Sequence, residues 1–371
     1  MNVILFFTYG VSLKNWESSG LLSREMKFYE EMSKKYNIKY TFVTYGDSED
    51  NNFNNYFENL KIIPIYEHIK YSNYKYLRLI KSLLFTFKIK NKINQEVSII
   101  KTNQLYGAWV AIIFKLITGS PLIVRTGYDL YTFSKKDNKN IIKQYFYYLL
   151  TLISLNYSDL YFSSSAYDIE FLINKFKFKR EKIIHLPNWV KVEKQYKQKR
   201  SENKILMVGR LEPQKRFDEA IEVLKGSDYI LEIYGDGSLE KELKNMSKGF
   251  NNINFLGRIS NDELLKKYSE YKIYLSLSEY EGNSKTILEA MGSGCVSVVS
   301  DIPNNKEIIK NNLNGIIFNK EKDNLFNIIS QLFQNETTLQ EISKNGIQYI
   351  KENNSLKLIT HKEFINYSKL N

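Results

Sequence analysis

The 371-residue sequence predicts an α/β protein of two doubly wound domains, on three observations. Short β-branched or aromatic runs alternate with longer helix-like stretches, the pattern of parallel strands joined by crossover helices. The pattern runs once, breaks at a charged stretch, and restarts. The length also exceeds the ~250–300 residues that one hydrophobic core usually serves.

In the first half, strands are expected near 2–8, 39–45, 97–102, 121–126, 159–163 and 182–186, with helices between them. Strands are expected again at KILMVGR (204–210), YILEIYG (229–235), INFLG (253–257), IYLSLS (273–278), VSVVS (296–300) and GIIF (315–318). Between the two series runs VKVEKQYKQKRSENK (190–204), charged and without apolar periodicity. The domains are therefore set at 1–190 and 204–355, with a linker at 191–203. A final helix, 356–371, is free to pack back on the first domain. Folds of this class bind ligands at the C-terminal ends of their strands, so a ligand between the domains is expected.

Composition excludes several classes. With 43% hydrophobic and 25% charged residues the chain is neither disordered nor collagen-like. Its one cysteine, Cys295, leaves no intrachain disulfide and no Cys-based metal site, as expected of a reducing compartment. The apolar N-terminus lacks a preceding basic residue and meets Tyr9-Gly10 too early for a signal peptide. The longest uncharged apolar run, Gln144 to Ser158, is shorter than the ~18–20 residues that cross a bilayer. A cytoplasmic protein is expected, with attachment to a membrane surface still open. Charge is uneven: residues 1–200 hold 31 basic and 17 acidic side chains, residues 201–371 hold 22 and 24. The first half is thus expected to face an anionic partner.

Two clusters in the second half carry chemistry. The first is EGNSKTILEAMGSG (281–294), which follows a strand and opens a helix near Lys285. Free amides at a helix start attract phosphate, and Gly282 and Ser284 let a ligand approach the backbone. Glu281 at the strand end and Glu289 one turn into the helix repel phosphate, so they suit the hydroxyls of a sugar and a ribose. Taken singly, Glu281 as a cap and Glu289 as a solvated side chain are the simpler readings. The second cluster, VGRLEPQKRFDEAIEVL (208–224), places Gly209 at a turn, with Arg210 and Lys215 across a loop broken by Pro213. A guanidinium and an ammonium together suit the spread charge of a diphosphate leaving group.

The ordered set GRLEPQK, YGDGSLEKEL (234–243), FLGRI (255–259) and EGNSKTILEAMGSGCVSVVSD resembles the retaining nucleotide-sugar glycosyltransferases of family 4, which have a GT-B fold. Glu281 and Glu289 match that family's E-x7-E signature. HLPNWV (185–190) resembles its Pro-Asn-Gly-Val segment, with Trp189 in place of glycine. The resemblance implies two Rossmann-like domains facing a cleft. It also implies that Arg210 and Lys215 hold the donor diphosphate, Glu289 the ribose and Glu281 the transferred sugar. Gly209 and the helix entrance Asn283, Ser284, Lys285 and Thr286 would complete the donor site. Gly282-Asn283 departs from the family's usual pair after the first Glu, which leaves the sugar unspecified.

The first half resembles the family less. Ser19-Gly20 stands where relatives carry a glycine pair over the donor, so Gly20, and with it Gly10, is a candidate donor-binding residue. Arg125 and Asp129 in PLIVRTGYDL (121–130) stand near the position of a donor-contacting histidine in relatives and are candidate cleft residues. Between Glu67 and Glu96 the sequence is basic and aromatic without an acid, so 70–92 is expected either to rest on an anionic membrane or to be an ordinary crossover helix. No zinc ligands or RNP-like element point to nucleic acid.

The expected activity is transfer of a sugar from a nucleoside-diphosphate sugar to a hydroxyl of a glycan or lipid-linked acceptor in cell-surface polysaccharide or lipopolysaccharide synthesis. Retention of configuration is expected, with no cofactor and no obligatory metal, since the sequence has no Asp-x-Asp pair. The alternatives are a sugar-nucleotide epimerase or a silent sugar-nucleotide-binding partner of another transferase.

Overall fold

A computed structural model describes residues 1–93, 96–191 and 200–370, without the side chains of Lys75 and Asn91. It divides into two compact units, Met1–Leu186 with Thr360–Asn371, and Pro187–Ile359. The sequence set the corresponding divisions at 190 and 355. Of the expected linker, residues 192–199 lie outside the described residues.

The first unit holds seven parallel strands: β1 (Asn2–Phe6), β2 (Lys39–Thr44), β3 (Leu60–Pro64), β4 (Ile99–Thr102), β5 (Leu122–Thr126), β6 (Leu160–Ser163) and β7 (Ile183–His185). Their order across the sheet is β3-β2-β1-β4-β5-β6-β7. In register, Val3 faces Tyr40 on one side and Ile99 on the other. The strand β3 is absent from the sequence expectation, because LKIIP runs directly into the short helix Ile65–His68 without a turn signal between them. Helix Ala108–Thr118 packs against both helix Lys75–Lys92 and helix Ile141–Tyr157.

A buried ion pair lies within this unit. Lys101 on β4 is 1% exposed and pairs with the equally buried Glu363, whose carboxylate also accepts the Tyr367 hydroxyl proton. The Lys101 ammonium lies 5.4 Å from the Phe28 ring centre and 5.8 Å from that of Tyr367. Aromatic faces and one carboxylate thus replace the water that an ammonium ordinarily keeps. Burial still pushes the Lys101 pKa below its usual value.

The second unit holds six parallel strands: β8 (Lys204–Val208), β9 (Ile230–Tyr234), β10 (Ile253–Gly257), β11 (Ile273–Ser276), β12 (Val296–Ser300) and β13 (Ile316–Phe318). Their order is β10-β9-β8-β11-β12-β13. The chain winds outward one way from β8 and the other way from β11, so a topological switch point lies between these two neighbours. Helix Lys285–Gly292, which follows β11, buries every residue from Ile287 to Gly292. It packs on helix Glu336–Asn353, where Gly292 faces Ile350 and Gly346 faces Met291. Small residues at that crossing let a short helix sit deep in the unit.

Candidate active site

Three loops meet at the strand C-terminal ends of the second unit. The loop after β8 begins at Gly209, whose amide donates to Tyr234 O at 3.0 Å. The loop after β9 lies directly against it: a β-carbon on Gly235 would fall 1.8 Å from Gly209 O, and one on Gly237 2.5 Å from Leu211 O. Only glycine fits at either place. The contact is completed by the Leu211 amide donating to Asp236 O at 2.8 Å and by Glu212 accepting from the Ser238 amide and hydroxyl.

The loop after β8 then makes the turn Pro213–Lys215, closed by the Lys215 amide donating to Glu212 O at 2.9 Å. The Lys215 stem runs past Gly209, and its ammonium pairs with Glu281, which also accepts from Ser278 Oγ at 2.7 Å. The backbones join as well, with the Glu279 amide donating to Gln214 O at 2.9 Å and the Gln214 side chain donating to Tyr280 O. Residues 66 positions apart are thereby brought together at the switch point. Arg210 is exposed, and its guanidinium pairs with no carboxylate among the described residues.

From Glu281 the chain enters helix Lys285–Gly292 through Asn283 and Ser284, both mostly buried. Ser284 occupies the N-cap position, yet its hydroxyl accepts from none of the helix amides and faces Thr286 Oγ1 at 3.1 Å instead. Ser284 thus caps none of the first helix amides, which lie at the positive end of the helix dipole. Asn283 is engaged elsewhere: its side-chain oxygen accepts from the Asn188 amide at 2.8 Å, and its carbonyl from Asn188 Nδ2 at 2.6 Å. Asn188 O in turn accepts from Asn354 Nδ2 at 2.8 Å. The Lys285 ammonium sits 5.7 Å from the Trp189 ring centre.

Glu289 is 2% exposed, which removes the simple reading of a solvated side chain. Its carboxylate accepts from Asn261 Nδ2 at 3.0 Å. Tyr274 on β11 is absent from the sequence expectation. This buried phenol reaches Val208 O at 3.5 Å, and burial raises its pKa, with the charges of Glu281 and Glu289 adding to the effect. The alternation in IYLSLS, which puts Tyr274 on the same face as Ser276 and Ser278, was the available signal.

In the first unit, Gly20 adopts φ +69° just past helix Leu13–Ser18 and its amide closes on Glu17 O at 2.9 Å. Gly10 is exposed with φ +78°. Asp129 is 2% exposed and caps helix Leu130–Lys136, accepting from the Thr132 amide at 2.6 Å. One carboxylate oxygen of this candidate cleft residue is thus engaged as a helix cap, while Oδ2 is buried without a hydrogen-bond partner among the described residues. Arg125 lies on β5, half-buried, and its charge acts on Lys101.

The whole chain superposes on solved glycosyltransferase structures. Sucrose-phosphate synthase from Thermosynechococcus elongatus matches with TM-score 0.83 and 14% identity, over 100% of this chain and 99% of that one. Anabaena HepE, solved in complex with UDP, matches with TM-score 0.74 and 15% identity over 100% of both chains. The fold is that of the GT-B glycosyltransferases. Residues 191–349 match the family model described as glycosyl transferases group 1. Among curated proteins, the Streptococcus agalactiae GtfA subunit of UDP-N-acetylglucosamine--peptide N-acetylglucosaminyltransferase is 26% identical over 174 residues, 44% of this chain and 34% of its own length. The Escherichia coli O-antigen biosynthesis glycosyltransferase WbnH is 28% identical over 185 residues, 50% of this chain and 53% of its own. The Staphylococcus aureus poly(ribitol-phosphate) alpha-N-acetylglucosaminyltransferase is 29% identical over 196 residues, 50% of this chain and 39% of its own. The matches therefore span from about a third to about half of these relatives. Among the described residues no helix is long and apolar enough to cross a membrane.

Proposed function

We propose that this chain is a retaining glycosyltransferase of the E-x7-E type, moving a sugar from a nucleoside-diphosphate sugar to a hydroxyl of a glycan or lipid-linked acceptor. The observation that carries the proposal is the junction of Lys215 with Glu281 beside the start of helix Lys285–Gly292. Relatives named for O-antigen biosynthesis and for glycosylation of poly(ribitol-phosphate) support a role in surface polysaccharide synthesis. The uridine diphosphate sugars named among relatives are the first donors to test.

In the proposed reaction the bond from the anomeric carbon to the diphosphate oxygen breaks, and its electron pair stays on that oxygen. The acceptor oxygen bonds the same carbon on the same face, and its proton passes to the departing phosphate. Lys215, Arg210 and the helix amides offset the charge that develops on the leaving group, the role a metal plays in other transferases. Within this scheme Glu281 orients the sugar and Glu289 the ribose hydroxyls. Because Lys215 pairs with Glu281, a donor diphosphate has to compete for its ammonium.

The test combines donor hydrolysis or transfer kinetics with thermal-shift binding. Arg210→Ala and Lys215→Ala are each expected to lower kcat about 10²–10³-fold, the usual loss when one transition-state donor is removed. Glu289→Ala is expected to weaken donor binding, with loss of the thermal shift that donor gives the native protein. Unchanged turnover in the double variant lacking both cations would overturn the proposal.

A further inference from the structure

The first unit carries a second chemically distinct surface, remote in sequence from every residue in the proposed donor site. Helix Lys75–Lys92 buries Ser82, Phe85, Thr86 and Ile89, which recur at helical spacing and face the core. On the opposite side Leu77, Ile80, Leu84 and Phe87 recur at the same spacing but are exposed, Leu84 by 61% and Phe87 by 57%. At ~3.6 residues per turn these two stripes lie about half a turn apart. A crossover helix needs only one apolar stripe.

A second element repeats the feature. Helix Ile141–Tyr157 begins with Ile141 and Ile142, each 79% exposed, and Tyr145, 61% exposed. Large β-branched residues are seldom so open at a helix start, where water would meet both side chains. Both helices flank helix Ala108–Thr118 and pack against it, so the two exposed stripes belong to one helical layer.

Charge identifies what covers this layer. No acidic residue occurs from 68 to 95 or within helix Ile141–Tyr157. Exposed lysines border both stripes: Lys88, Lys90 and Lys92 on the first, Lys139 and Lys143 on the second. Apolar side chains bordered mainly by ammonium groups, with no carboxylate in either helix and Asp137 paired with Lys139 just before the second, match a leaflet whose anionic headgroups lie above hydrocarbon. A protein partner with an apolar patch would be matched by the stripes but not by the predominantly basic rim.

We propose that helices Lys75–Lys92 and Ile141–Tyr157 together form a docking surface for an anionic membrane, with Ile141 and Ile142 entering the acyl boundary beside Leu84 and Phe87. The second helix is the new element, since the basic composition of 70–92 alone does not point to it. The inference does not depend on the proposed transfer reaction, and its test does not measure that reaction.

The experiment is flotation of the full chain with vesicles of phosphatidylcholine, alone or mixed two to one with phosphatidylglycerol. Binding is expected only to the mixed vesicles, and it should fall steeply as salt is raised. The variant Ile141→Ser with Ile142→Ser, which alters exposed side chains only, is expected to weaken that binding about tenfold while leaving the melting temperature unchanged. Lys88→Glu with Lys143→Glu is expected to weaken it at least as much. No binding to mixed vesicles would overturn the proposal, as would binding that both variants leave intact. So would a dimer, seen by analytical ultracentrifugation without lipid, that the Ile141 and Ile142 variant dissociates.

Discussion

At the scale of single residues, Asp129 shows how burial turns a helix cap into a pH-dependent contribution. Its carboxyl is held above the usual range chiefly by desolvation, against the opposing bonds from Thr132. In the window just above pH ~4 the folded protein binds this proton more tightly than the unfolded chain, so the group's contribution falls as pH rises through the folded pKa. Asp129→Asn keeps an oxygen for the Thr132 amide and removes the charge. It is expected to melt at or above the native temperature at pH 7, with the difference shrinking on acidification, whereas Asp129→Ala should cost about 1 kcal/mol through the lost cap. Differential scanning calorimetry across pH separates the two. Residue-level legibility was uneven for a related reason. Lys215 and Glu281 stood out because their motifs are local, but that they pair with each other depends on strand order. A lysine such as Lys101 in a strand reads as exposed, and its partner lies 262 positions away.

At the scale of elements, the site rests on the close stacking of the turns after β8 and β9. Gly235→Ala would drive a methyl group into the Gly209 carbonyl, displacing the turn from which Arg210 and Lys215 project. The expected loss is about 3 kcal/mol by urea unfolding, toward the upper end for overpacking, together with loss of donor binding. Most strands were legible because β-branched runs bounded by turn residues announce them, as in KILMV and VSVVS. The exception, β3, has no such boundary on its C-terminal side. Helix Lys285–Gly292 was also legible, since a glycine and small polar residues precede an apolar run. What the pattern could not reveal was that helices Lys75–Lys92 and Ile141–Tyr157 of the first unit would leave apolar stripes uncovered. Periodicity locates an apolar face but not what lies against it.

At the scale of the whole molecule, the first unit draws its last structural residues from the far end of the chain. Glu363→Ala leaves the Lys101 ammonium buried without its carboxylate and is expected to destabilise the protein by about 3–5 kcal/mol. Replacing both, as Lys101→Met with Glu363→Leu, should recover most of that loss, because two apolar side chains of similar size need no partner. Chemical denaturation of the three variants forms the cycle that checks this. The same pairing sets a schedule for biosynthesis. A ribosome adding ~5–20 residues per second needs roughly ten to thirty seconds to travel from residue 186 to residue 360, and throughout that interval the nascent first unit holds a cation awaiting its counter-charge. Chaperone engagement during translation should therefore persist on this protein until Glu363 has been added and can reach Lys101.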